Sequence, residues 1–158
     1  NIPARYQDKY QNGAFDLVLV FCDTDRKPYE QYVDIKRRID EFHGVENAAD
    51  KIMIFGNPCT MQIIIEHFGD VRLCSNNKKK NAPVIYDLTR IEGYKGRKEQ
   101  RRKLFSQITT ENYQEMRKRI KKLLFDDTVE GSTNVGRFLE WFSLGDCSWM
   151  QMINQKLD

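Results

Sequence analysis

The sequence predicts an α/β fold, a mainly parallel central sheet flanked by helices, with a helical C-terminal part. Three observations carry this. Leu17 to Phe21 is a short apolar run that closes on Cys22 and Asp23, as expected of a strand buried on both faces. Lys51 to Phe55 (KIMIF) is a second run of the same kind. Between them, Tyr29, Tyr32, Ile35, Ile39 and Phe42 recur at three- or four-residue steps, one face of an amphipathic helix. Strand, helix and strand in this order make a βαβ unit, whose strands are parallel.

The remaining elements follow in order. Residues 1–14 are polar and end in the turn signal Gln11-Asn12-Gly13, which fits an arm or the tail of a helix. Pro28 suits the first position of the amphipathic helix, and Gly44 suits its end. After the second strand, Asn57 is placed to cap a helix begun by Pro58. That helix is expected to reach about Phe68 and to be largely buried, because Met61, Ile63, Ile64, Ile65 and Phe68 surround it. A polar loop follows, and Pro83 to Leu88 (PVIYDL) reads as a third strand. Gly93 to Arg97 is a basic turn, and Lys98 to Phe105 a basic helix or loop. Thr109-Thr110-Glu111 opens a helix striped by Tyr113, Met116, Ile120, Leu123 and Leu124. Gly131 to Asn134 forms a turn and cap before an aromatic helix carrying Phe138, Trp141 and Phe142. Gly145 stops it, and Trp149, Met150, Ile153 and Leu157 mark a last one. The expected organisation is one domain over residues 1–158, an α/β core at 15–88 and a mostly helical part at 89–158, basic first and then aromatic-rich.

Composition narrows the function classes. No apolar run reaches the roughly 18 residues of a membrane span, and there is no signal-peptide pattern. Cys22, Cys59, Cys74 and Cys147 form no CxxC pair, and only His43 and His67 could join them. This is the pattern of reduced cysteine in a cytoplasmic protein rather than a disulfide framework or a zinc site. The chain begins at Asn1, which leaves room for an upstream strand. Its net charge of +3 conceals an asymmetry: Val71 to Lys122 holds 16 Lys and Arg against 5 Asp and Glu, so the rest is acidic. A basic flank beside an acidic remainder suits a protein that holds a polyanion, and a solvated helical face would give it as well.

The chemistry concentrates at the end of the first strand. Asp23-Thr24-Asp25 puts two carboxylates where open α/β sheets place their ligands. If the chain stays extended there, both project to one face and crowd like charges. A shared hard cation, Mg²⁺ or Mn²⁺, relieves this; a capping turn at the next helix is the alternative. Arg26 stands beside the pair, in reach of a phosphate or of a surface ion pair. His67 is either a ligand or a helix-end histidine near carbonyl dipoles. Lys78, Lys79, Lys80, Arg90, Lys95, Arg97, Arg101 and Arg102, with Tyr94 among them, make the mixture that tracks phosphates and stacks bases.

Three features together resemble a known family. They are the apolar strand ending in Asp23-Thr24-Asp25-Arg26, then Asn57-Pro58-Cys59, then His67-Phe68 ten residues after Asn57. They are similar to the RloB-like family, small Toprim-fold proteins of bacterial restriction, phage-defence and abortive-infection loci. That family shows D-x-D after a strand and then N-P-C-F-E-x-W-x-x-x-H-F. Ser132-Thr133-Asn134-Val135-Gly136 before an aromatic helix also resembles its C-terminal region. The resemblance implies a Toprim-like core in which Asp23 and Asp25 bind Mg²⁺, with nuclease activity on DNA or RNA. Asn57, Pro58, Cys59, His67 and Phe68 match the second motif, while Met61 stands where the family has glutamate and Ile63 where it has tryptophan. A thioether cannot act as a base or a Mg²⁺ ligand. The expectation is therefore a Mg²⁺-dependent nuclease of a bacterial defence system. The alternatives are a catalytically degenerate module that binds nucleic acid or a partner protein of the same locus, and an aspartyl-phosphatase-like enzyme with Asp23 as nucleophile.

Overall fold

A computed structural model describes residues 1–15, 17–25, 29–121 and 125–143. Its centre is a small parallel sheet of two strands, β1 (Val20–Asp23) and β2 (Met53–Gly56), in register from Val20 opposite Met53 to Asp23 opposite Gly56. Helix α1 (Ile2–Asn12) precedes β1, and α2 (Tyr29–His43) joins the strands. The strand–helix–strand unit read from the sequence is present, and so are the helices on both sides of the sheet.

The alternation of the strands sorts the core. Val20, Cys22, Met53 and Phe55 face one way and pack with Tyr6, Tyr32 and Ile39 of α1 and α2. Ile54 faces the other way, onto Ile63, Met116, Ile120, Val135 and Phe138. These come from α3 (Met61–Ile65), α6 (Thr110–Ile120) and α7 (Val135–Ser143). All of β2 is buried, but β1 is not: Phe21, opposite Ile54, is 62 % exposed. The expectation of a strand buried on both faces thus holds for β2 alone among the described residues.

A further cluster joins Cys59, Ile65 and Leu73 to Ile85, Ile91, Tyr94 and Leu104, on and around α4 (Lys78–Thr89) and α5 (Lys98–Ser106). Pro83 to Leu88 is not a strand but the second half of α4. The Asn77 side chain accepts from the Lys79 N–H at 2.9 Å and starts the helix early. Asn81, Ile85 and Thr89 then bury one face at four-residue spacing, a helical period that outweighs the β-forming composition of Val84, Ile85 and Tyr86. Lys98 to Phe105 resolves as helix, and Thr109 and Asn112 cap α6 reciprocally. Gly44, at φ +62°, ends α2 as expected. The α3 segment is shorter than predicted. The final helix predicted around Trp149 and Leu157 lies outside the described residues, as do Leu123 and Leu124.

The outer edge of β2 is closed by side chains rather than by a third strand. Asn134 accepts the Phe55 N–H through Oδ1 at 2.9 Å and donates through Nδ2 to the Met53 carbonyl at 2.8 Å. Thr133 Oγ1 donates to the Phe55 carbonyl at 2.6 Å, and the Asn57 N–H reaches the Ser132 carbonyl at 3.0 Å. A carboxamide presents one acceptor and one donor side by side, as a peptide does, so Asn134 substitutes for a strand residue.

Candidate functional site

The C-terminal ends of both strands meet in one crossing of chain. The Thr24 N–H donates to the Gly56 carbonyl at 3.2 Å and the Asp25 N–H to the Pro58 carbonyl at 3.0 Å. The turn that follows β2 is tight enough to require glycine: a Cβ on Gly56 would stand 2.4 Å from the Cys59 carbonyl oxygen. Asn57 does not cap a helix. Its Nδ2 donates to the Asp127 carbonyl at 2.7 Å, and its carbonyl accepts from Gly131 N–H at 2.8 Å, so it holds the loop that leads to Ser132.

Asp23 and Asp25 reach different partners. Asp23 Oδ1 accepts the Thr60 N–H at 2.7 Å, just ahead of α3. Asp25 leaves the extended conformation, at φ +50°, and its Oδ1 accepts from Asn76 Nδ2 at 2.6 Å. The expected two-residue alternation along one strand face therefore stops at Asp23. The pair is instead held by contacts to two other segments. Both carboxylates still act on the same neighbours. Burial pushes the Cys22 and Cys59 thiols up to about 11, and the charges of Asp23 and Asp25 add to it. Without a metal these thiols stay protonated at neutral pH.

Two clefts share Asp23 and Thr60. The first, about 380 Å³, is lined by Phe21, Asp23, Thr24 and Asp25 together with Ile2 of α1 and Tyr32 of α2. The second, about 230 Å³, has Cys59, Met61, Ile64, Ile85 and Tyr94 as its apolar surface and Asn76, Lys78 and Arg101 as its polar wall. Asp23 is thus the partition between an acidic cleft and a cationic one. Asn76 ties them further, since it lines the second cleft and donates to Asp25, which lines the first.

No family model, curated protein or solved structure matches this chain. What can be said of the site accordingly rests on its own geometry. Of the basic residues singled out from sequence, Lys78 and Arg101 line the cationic cleft. Lys79 and Lys80 are exposed on the first turn of α4, Lys95 and Arg97 in the turn before α5, and Arg102 on α5. Arg90 lies over the Tyr86 ring at 5.3 Å and borders a separate depression near Gln107. Tyr94 is 5 % exposed and forms part of the core, not an open stacking platform. Arg26 lies outside the described residues.

His67 is brought to neither cleft. Its Nδ1 lies 3.1 Å from the carbonyls of Ile63 and Ile64, at the end of α3, and its ring sits near Phe68 and Tyr113. This is the helix-end position that the sequence offers as the alternative to ligation. Phe68 packs against the α4–α5 cluster, and Cys59 and Pro58 build the turn beside Asp25. Sequence reasoning missed Asn76 and Thr60, whose partners lie 51 and 37 residues away. Glu66, which the sequence leaves either exposed at the rim or held by partners, is fully buried beside Gln62, with its carboxyl pushed up to about 7 by burial and by Asp70.

Among the described residues no group of three or more His, Cys, Asp or Glu side chains is placed to hold a metal. Two carboxylate donors, each with one oxygen fixed by an N–H, fit the mode in which Mg²⁺ takes one or two carboxylates, several waters and substrate phosphate oxygens. They do not fit a dedicated all-protein cage.

Proposed function

We propose that this chain is a Mg²⁺-dependent phosphodiesterase acting on nucleic acid, a Toprim-like nuclease of the kind associated with bacterial defence loci. One observation carries the reading: Asp23 borders both the cleft that holds Asp25 and the cleft that holds Lys78 and Arg101. A phosphodiester placed at that partition has carboxylates on one side and, on the other, two cations without carboxylate partners among the described residues. Asp23 and Asp25 would hold the ion, and Mg²⁺ or Mn²⁺ there supplies activation of water and neutralisation of charge developing on phosphate. Lys78 and Arg101 position the phosphate and stabilise its charge. Thr60 and Asn76 are positioning residues, since they orient the two carboxylates. The order of the D-x-D, N-P-C and S-T-N motifs supports the RloB-like resemblance. So does their convergence, because Asn57 bonds to the segment that carries Ser132.

A second reading is favoured by Met61, which lines the cationic cleft where the family has glutamate. It is a module that binds nucleic acid, or a partner protein of its locus, without cutting it.

The test is calorimetric titration with Mn²⁺ and Mg²⁺, beside cleavage assays on DNA and RNA, for wild type and for Asp23→Asn with Asp25→Asn. An asparagine Oδ1 still accepts from Thr60 and Asn76, so the scaffold is kept. The nuclease reading expects metal binding and metal-dependent cleavage, both lost in the double variant. Oligonucleotide binding with neither metal uptake nor cleavage would make the protein a binding module.

A further inference from the structure

The second cleft carries more than charge. Lys78 and Arg101 lie 23 residues apart in sequence, on α4 and α5, yet converge on Gly96. Arg101 Nη1 donates to the Gly96 carbonyl at 3.1 Å, and Lys78 Nζ lies 3.7 Å from where a Cβ on Gly96 would be. Neither has a carboxylate partner among the described residues. Two cations gathered at one turn without a carboxylate favour an anion there, and a guanidinium that spends one donor on a carbonyl keeps four for a ligand. The place they surround suits a phosphate.

The same cleft is also lined by apolar side chains, those of Met61, Ile64, Ile85 and Tyr94. A site for phosphate alone has no use for such a surface, because a phosphate is best held by donors on every side. The volume of about 230 Å³ equals roughly eight waters of liquid, and it falls below the roughly 300 Å³ where drug-sized pockets begin. One heterocyclic base fills such a space; a stacked base pair does not. Asn81, buried at the cleft wall, spends its Nδ2 on the Ser75 carbonyl at 2.8 Å and leaves its side-chain oxygen as an acceptor.

From this we infer that the cleft between α3, α4 and the 93–97 turn takes one unstacked nucleotide, its base against the half-buried Met61 and Ile64, which the buried Ile85 and Tyr94 back, and its phosphate at Lys78 and Arg101. The substrate class is then single-stranded nucleic acid, since a paired and stacked base cannot enter. The inference rests on the proposed function for its relation to Asp23, but base capture itself needs neither metal nor cleavage.

The experiment exploits that independence. Fluorescence anisotropy in EDTA measures binding of a labelled single-stranded DNA oligonucleotide and its RNA counterpart. The comparisons are the duplex, an abasic oligonucleotide of equal length, and a free mononucleotide as competitor. Single strands of either sugar should bind at least tenfold more tightly than duplex and at least fivefold more tightly than the abasic strand. The mononucleotide should compete only at far higher concentration, because it lacks the flanking phosphates. Lys78→Glu and Arg101→Glu should each weaken single-strand binding about tenfold and lower its salt dependence by about one counterion. Ile64→Trp, which fills the cleft from a half-buried position, should remove the preference for based over abasic strands while sparing the salt dependence. Equal binding of duplex overturns the single-strand assignment, and equal binding of the abasic strand overturns the base pocket. A mononucleotide as tight as the oligonucleotide makes the ligand a free nucleotide instead. Separate assays in Mg²⁺ report on the nuclease: duplex cleavage without single-strand preference would sink this inference alone, and tight single-strand binding without cleavage would sink the nuclease alone.

Discussion

The two flanks of the strand ends use polar groups in opposite ways. At the outer edge of β2, Thr133 and Asn134 are buried, neutral and matched donor to acceptor with the backbone of Met53 and Phe55. Across the site, Lys78 and Arg101 are exposed, charged and without carboxylate partners among the described residues. The first arrangement gains nothing from a ligand, because each of those polar groups is already paired; it fixes the sheet edge. The second gains little stability from the fold and keeps its charges for something else. The difference separates the scaffold from the proposed binding surface by chemistry.

The scaffold side breaks most easily at Asn134. Asn134→Leu keeps the size but strands a buried N–H on Phe55 and a buried carbonyl on Met53. Each unpaired buried group costs about 1–3 kcal/mol, so a loss of about 3–5 kcal/mol is expected. Urea unfolding should show a lower midpoint at unchanged slope. A loss below about 1 kcal/mol would mean that the carboxamide does not replace a strand, and the contrast between the flanks would fail.

That contrast also explains what the sequence could and could not convey. The βαβ unit was legible because the Tyr29-to-Phe42 periodicity and the two apolar runs are local patterns that tertiary packing did not override. Pro83 to Leu88 misled because Val84, Ile85 and Tyr86 favour strands individually. The deciding signals were the Asn77 cap and the spacing of Asn81, Ile85 and Thr89. Asp23 and Asp25 were visible as residue types at a strand end, but their orientation was not. Thr60 and Asn76 set it from distant segments, and Asp25 adopts a positive φ that no local pattern announces. The basic segment was legible as a whole. Its division into Lys78 and Arg101 at the cleft and Arg90 elsewhere depends on how α4 and α5 pack. His67 matched a motif position, yet its ring faces the carbonyls of its own helix.

Glu66 tests the boundary between the two flanks, because it is buried like the scaffold yet ionisable like the binding surface. Gln62 donates to one of its oxygens at 2.7 Å, while the other is buried without a partner among the described residues, and the carboxyl is pushed up to about 7 by burial first and Asp70 second. A carboxyl raised in the folded state favours folding while it is protonated. The stability it contributes is complete below its unfolded value near 4.5 and is lost as pH rises through about 7. Wild-type stability should therefore fall by up to about 3 kcal/mol across that window. In Glu66→Gln, which keeps an acceptor for Gln62, this part of the slope should vanish. Urea midpoints measured from pH 4 to 8 decide it. An unchanged slope in the variant would assign the pH dependence to other groups.

The smallest expected effect is the most telling one for the binding flank. Lys78→Gln and Arg101→Gln remove exposed charges that support no ion pair among the described residues, so each should change stability by no more than about 0.5 kcal/mol. Arg101→Gln also gives up the bond to the Gly96 carbonyl, which lies at the surface where water replaces it. If both variants unfold at the wild-type midpoint while single-strand affinity falls, the two cations belong to the ligand rather than to the fold. If either destabilises by 2 kcal/mol or more, well above the roughly 0.5 kcal/mol expected of a surface change, then the α4–α5 wall is scaffold like the Asn134 edge, and the cleft has lost the property that marks it as a site.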